Sequence, residues 1–270
     1  MSSVSEGPLD RILEHEAGDL TCSVEAEIRL SVLQEALAPH GQMLALDPPG
    51  DPTVGACLAA NLSGPRRHRY GTMRDLVIGV TVVLGDGTVA SSGGKVVKNV
   101  AGYDLAKLFC GSEGRLGRIV RLALRLHPVP DASATVVAPA DPVRALDVLR
   151  STLVPSAVDV HWPDRLALRF EGSERAVAAQ VAAARELVCG EPAGDVVWAE
   201  AAERQARAAG RVLLAPGSLG ELLAAEDEAV VRVAAGVAYV PHVVADPRDP
   251  AEIALVERIR AQFDPRGVLV

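Results

Sequence analysis

The sequence predicts an α+β chain built in two parts. Three observations carry this. Strand-like and helix-like patterns succeed one another along 270 residues. A strongly alternating run, Val120 to His127, stops at Pro128-Val129-Pro130, after which the pattern changes. The composition, 49% hydrophobic, suffices for one large or two modest cores, burying roughly three quarters of the unfolded surface. The boundary is placed at the proline pair and Asp131-Ala132-Ser133-Ala134. Residues 1–130 form one domain, 131–245 a smaller α+β domain, and 246–270 a C-terminal helical segment.

Leu20 to Ala26 alternates as a half-buried strand, and Leu30, Leu33 and Leu37 then recur at helical spacing up to Gly41. Thr53 to Leu62 reads as a short helix whose Ala56, Ala59 and Ala60 allow close packing and whose start could face an anion. Leu76 to Val83 and Thr88 to Ser91 form a hairpin around Asp86-Gly87. Beyond the prolines, helices are expected over Pro142–Arg150, Ser173–Val188 and Val197–Ala209. Strands are expected over Arg165–Phe170, Arg211–Ala215 and Val230–Val240. Asp249 to Phe263 is a terminal helix that ends at Asp264-Pro265-Arg266-Gly267.

A net charge of −8 argues against a nucleic-acid partner, since phosphate binding needs a basic surface. The one basic run, Arg66-Arg67-His68-Arg69, is either a solvated loop or a contact for a cofactor phosphate, a carboxylate substrate or an acidic partner. Met1 to Gly7 lacks the charged and apolar regions of a signal peptide, and no stretch approaches 18 apolar residues, so a cytoplasmic protein without transmembrane segment is expected. The four cysteines, 22, 57, 110 and 189, are too far apart for C-x-x-C metal ligation, so they are read as reduced thiols.

Chemistry is expected around Gly111, Gly114 and Gly117. Their spacing is not that of a dinucleotide fingerprint, and Val96 after Gly93-Gly94-Lys95 removes the hydroxyl a phosphate-binding P-loop needs. The glycines suit either an ordinary loop or a backbone that approaches a bound polyanion or flavin. Taken with Lys98-Asn99-Val100-Ala101-Gly102-Tyr103-Asp104, Asp51-Pro52-Thr53-Val54-Gly55 and Ser63-Gly64-Pro65-Arg66-Arg67, the segment resembles the FAD-binding subunits of bacterial glycolate oxidase. These belong to the vanillyl-alcohol-oxidase (PCMH) type of flavoprotein. The resemblance covers roughly residues 9–130 well and the rest loosely.

The resemblance implies an FAD-binding domain lacking its first subdomain strands, a cap domain, and a C-terminal element that crosses back onto the FAD domain. It assigns Pro52, Thr53, Val54 and Gly55 to the pyrophosphate, with Ala56 where a second glycine is usual. Asn61, Ser63, Gly64, Tyr70 and Gly71 lie along flavin and ribityl chain, and Glu113, Gly114, Gly117 and Ile119 wrap the adenine-ribose end. Lys98 and Tyr103 belong to a subunit-specific signature. The bends at 52–55 and 111–119 are expected to converge on one cleft. No arginine-glycine-glycine-glycine loop precedes Leu9, and the six histidines form no H-x-x-H pair, so no catalytic residue and no metal ligand is assigned. The implied role is an accessory FAD subunit of a glycolate dehydrogenase complex, with a catalytic FAD subunit and an iron-sulfur subunit as partners, peripheral to the inner membrane through that complex. A flavin-free structural subunit and a stand-alone oxidase of a small hydroxy acid are the competing readings.

Overall fold

The computed structural model of the chain describes residues 8–94, 105–245 and 248–269. The elements up to the proline pair are β1 (Ile12–Glu16), β2 (Thr21–Glu25), α1 (Leu30–Leu37), β3 (Gln42–Met43), α2 (Val54–Ala59), α3 (Arg67–Tyr70), α4 (Met73–Leu76), β4 (Val77–Val83), β5 (Val89–Gly93), α5 (Leu105–Phe109), β6 (Arg118–Arg125) and β7 (His127–Pro128). After it come β8 (Ala132–Pro139), α6 (Pro142–Arg150), β9 (Ala157–Trp162), β10 (Arg165–Gly172), α7 (Glu174–Val188), β11 (Glu191–Ala193), α8 (Val196–Arg207), β12 (Gly210–Leu213), α9 (Leu219–Ala225), β13 (Ala229–Arg232), β14 (Val237–Val240) and α10 (Pro250–Phe263). They build two large antiparallel sheets, one of five strands ordered β1-β2-β6-β4-β5 and one of seven ordered β11-β8-β10-β9-β13-β14-β12, and a two-stranded pair, β3-β7.

In the five-stranded sheet, alternation sends Cys22, Val24, Val80, Val82, Leu122 and Leu124 to one face, where they meet Leu33 and Leu37 of α1. Each such leucine contributes about 2 kcal/mol of burial. Helix α1 begins where Asp51 accepts from the Ser31 amide and hydroxyl, both at 2.9 Å, and the chain turns away at Gly41 with φ +63°. Strand β1, unread in the sequence, pairs with β2 through a bulge between Ile12 and Glu14 that breaks its alternation. In α2 the buried face is Val54, Cys57 and Leu58, while Ala56 and Ala60 point outward. The close approach belongs instead to Gly55, where a Cβ would stand 2.7 Å from the Ala26 carbonyl oxygen.

The seven-stranded sheet has two unlike faces. One is apolar, with Val136, Val158, Val160, Leu166, Leu168 and Phe170 packed beneath α6, α7 and α9. The other bears Thr135, Asp159, His161, Arg169, Glu171 and Arg232, all buried. Helix α8 covers part of this face through Val197 and Trp198 against Ala157 and Ala167. Strand β8 starts at Ala132, inside the stretch read as a linker. The single strand expected over Val230–Val240 is a hairpin of β13 and β14, turned at Gly236 with φ +60°.

Helix α10 starts with a capping box of Asp249 and Glu252. Its far end lies on the first sheet's elements: the Phe263 ring meets Phe109 edge-on at 6.1 Å, and Arg266 donates to the Gly85 carbonyl at 2.8 Å. Phe109 is 1% exposed. Phe109→Ala is expected to lower stability by about 3–5 kcal/mol in urea denaturation; a loss below 1 kcal/mol contradicts this packing.

Candidate functional site

The described residues expected at a cofactor fall at three places. The turn at Pro52–Gly55 leads into α2 with Thr53 as its N-cap, its Oγ1 accepting from the Ala56 amide at 3.2 Å. The Pro52 carbonyl accepts from Leu30, while the amides of Val54 and Gly55 donate to Ile28 and Ala26 at 2.9 and 2.7 Å. Every donor of this turn from 54 to 56 is thus engaged within the chain. At the other end of α2, Asn61 (φ +47°) and the glycine turn meet: Gly111 donates to Leu58 and Glu113 to Ala59. The two bends therefore lie at opposite ends of a six-residue helix, about 9 Å apart along its axis.

In the glycine turn, Gly111 and Gly114 have φ +78° and +79°, and a Cβ on Gly114 would meet nothing within 4 Å. Glu113 is exposed and pairs with Arg115 at 2.6 Å. Gly117 is buried beside Phe109 and the Val83 carbonyl, and the Ile119 side chain lies in the core. Two polar atoms here, Asn61 Oδ1 and Ser112 Oγ, are buried with no partner among the described residues. Ser112 borders a cleft of about 460 Å³ between the turn and α10, walled by Leu108, Leu116 and Ile259 and flanked by Arg115 and Arg260. Lys98 and Tyr103 lie outside the described residues.

The third place is where Ser63–Gly71 meets the polar face of the seven-stranded sheet. Gly64 sits so close to Asp47 that a Cβ would fall 1.7 Å from the Asp47 carbonyl oxygen. The Asp47 carboxylate in turn accepts from the Arg66 amide at 3.1 Å. The Arg66 side chain donates to Glu171 Oε1 from Nε at 3.0 Å and Nη2 at 2.7 Å, and Arg69 donates to the Glu171 carbonyl at 2.5 Å. Gln205 of α8 donates to the Ser63 carbonyl at 3.1 Å and accepts from Arg232, which also pairs with Asp159. Tyr70 packs edge-on against His127 at 5.0 Å, and Gly71 turns with φ +85° against Asp75. The basic run 66–69 is therefore a clasp onto the second sheet.

Burial sets the electrostatics. It pushes Asp47 up to about 6 against the pull of Arg66, Arg232 and Arg169, and pulls Arg232 down to about 10. Arg169 lies over the Trp198 ring, 4.5 Å from its centroid, and 3.6 Å from Asp47. Asp47, Asp159, Arg169, Glu171, Gln205 and Arg232 were not expected at a site. Asp159, Arg169 and Glu171 alternate with apolar residues on β9 and β10, which reads as a solvated face; Arg232 ends β13, Asp47 lies outside helices and strands, and Gln205 is on α8.

Comparison with known proteins bears on this arrangement. Residues 3–93 match the FAD binding domain family. The chain is 33% identical over 200 residues to glycolate oxidase subunit GlcE of Escherichia coli (strain K12), covering 72% of this chain and 56% of that protein. With glycolate oxidase subunit GlcD of Bacillus subtilis (strain 168) the identity is 33% over 158 residues, 56% of this chain and 34% of that one. The chain carries an FAD binding domain. Its fold is also that of alkyldihydroxyacetonephosphate synthase, with a TM-score of 0.72 at 16% identity over 97% of this chain and 65% of that one. The chain spans little more than half the length of the Escherichia coli subunit.

FAD is the cofactor of this family, and the described residues fit it in part. Asn61 Oδ1 and Ser112 Oγ offer unused hydrogen-bonding capacity at the α2–glycine turn junction, whereas the 54–56 amides offer none. Among the described residues no group of three His, Cys, Asp or Glu could hold a metal ion, and no helix is long and apolar enough to cross a membrane.

His161 is 2% exposed, lies edge-on to Trp198, and is held by burial and by Arg165 and Arg204 down at about 4. Its unfolded value is about 6.5, so its contribution is fully present above pH 6.5 and is lost as pH falls through 4, about 3 kcal/mol in all. NMR titration should find His161 neutral at pH 5; a midpoint near 6.5 contradicts its burial.

Proposed function

We propose that the chain is an accessory FAD-binding subunit of a glycolate, or other 2-hydroxy acid, dehydrogenase complex. In this reading it relays electrons from a catalytic flavin subunit toward an iron-sulfur subunit. The observation that carries it is the 33% identity to glycolate oxidase subunit GlcE over 72% of the chain. Bound FAD supplies a centre that takes up an electron pair and releases electrons singly.

The chain's own residues bind and orient. Asn61 and Ser112 meet the cofactor at one end of α2, and the segment 63–71 forms a wall stiffened by the second sheet. A relay needs no base, in keeping with His161, whose imidazole is buried and neutral. One observation favours a second reading, a flavin-free structural subunit: the Val54 and Gly55 amides are committed to Ile28 and Ala26. Partner chains are then needed only for assembly.

Flavin stoichiometry separates the two. The purified complex is expected to carry two FAD per assembly, and Gly114→Val, which places a β-branched residue at φ +79°, is expected to reduce this to one. One FAD in the wild-type complex contradicts the relay.

A further inference from the structure

We propose that Glu171 and Gln205 are positioning residues for the segment 61–71, holding it in the conformation that meets the cofactor. This rests on the FAD-binding reading above. Neither residue belongs to the stretch 3–93 that matches the FAD binding domain family; Glu171 sits on β10 of the second sheet and Gln205 on α8, which covers part of that sheet.

The segment's side-chain hydrogen bonds run in large part to the second sheet and to α8. Its arginines turn away from the five-stranded sheet: Arg66 forks onto Glu171 Oε1, and Arg69 reaches the Glu171 carbonyl. Its Ser63 carbonyl is taken by Gln205, whose other amide atom is fixed by Arg232. The Glu171 side chain is fully buried and Arg66 is only 25% exposed, so the pair is shielded from salt, and two N–H groups of Arg66 converge on the one oxygen Oε1. Among the described residues Glu171 Oε2 is buried without a hydrogen-bond partner, so the Arg66 bonds to Oε1 are the ion pair that answers its charge. On its other side the segment rests on Asp47, which leaves no room for a Cβ at Gly64. The segment from Asn61 to Gly71 is held between these two supports, Asp47 on one side and, on the other, residues more than 100 positions away in sequence.

The test is FAD titration of the full chain, followed by flavin fluorescence and by the visible circular dichroism of bound flavin, which reports the flavin's surroundings rather than stability. Glu171→Gln keeps the shape and removes the charge, and should raise the Kd for FAD at least tenfold and alter the dichroism. Gln205→Ala, on a partly exposed face of α8, should raise Kd about fivefold and speed hydrogen exchange of amides 61–71; it decides the matter if Glu171→Gln does not fold. Arg185→Ala, which breaks an exposed pair with Glu191, should leave Kd unchanged. Wild-type Kd and dichroism in both Glu171→Gln and Gln205→Ala, within twofold, overturn this inference while the FAD reading stands. A wild-type chain that takes up no FAD, alone or with its partners, overturns both.

Discussion

The pairing of Arg66 with Glu171 across the junction of the two sheets is the constraint on which the rest depends. A carboxylate with no solvent exposure is tolerated only if its charge is answered at close range, and the Arg66 fork at 2.7 and 3.0 Å does this. Around it the charges are nearly matched, Arg66, Arg169 and Arg232 against Asp47, Asp159 and Glu171. Such a cluster adds little net stability over an apolar contact, but removing one member leaves an uncompensated charge at a cost of about 3–5 kcal/mol. It acts as a registration device.

What is registered is the segment that follows α2. That helix spaces the turn at 52–55 from the junction of Asn61 with the glycine turn, and the clasp then directs Ser63–Gly71 along the second sheet. The close-packed glycines serve this frame first. Gly55 admits Ala26 and Gly64 admits Asp47, both parts of the chain itself. Two polar atoms are left over, Asn61 Oδ1 and Ser112 Oγ, buried without a partner among the described residues.

Much of the fold was legible in the sequence wherever periodicity and end signals agreed. Leu30, Leu33 and Leu37 mark α1, Val120 to Leu126 marks β6, and Asp141-Pro142 and Asp249-Pro250 open α6 and α10 as capping residues do. Strand β1 was lost to its bulge. The hairpin of β13 and β14 was read as one strand because its turn, Val233 to Gly236, is short and mostly apolar. The candidate site was less legible. Arg66 to Arg69 stood out as a basic run, but its partners lie on β10, where Arg169 and Glu171 alternate with Leu168 and Phe170 as residues of a solvated face do. Only the docking of segment 63–71 and α8 turns that face inward, a tertiary event that no local pattern records.

A double-mutant cycle on Arg66→Met and Glu171→Leu, read by urea denaturation at neutral pH, tests the clasp directly. The account predicts that each single change is strongly destabilising and that the pair together costs less than the sum, with a coupling of about 2–3 kcal/mol. Additive single changes, with coupling near zero, would mean that these two residues do not hold the sheets in register.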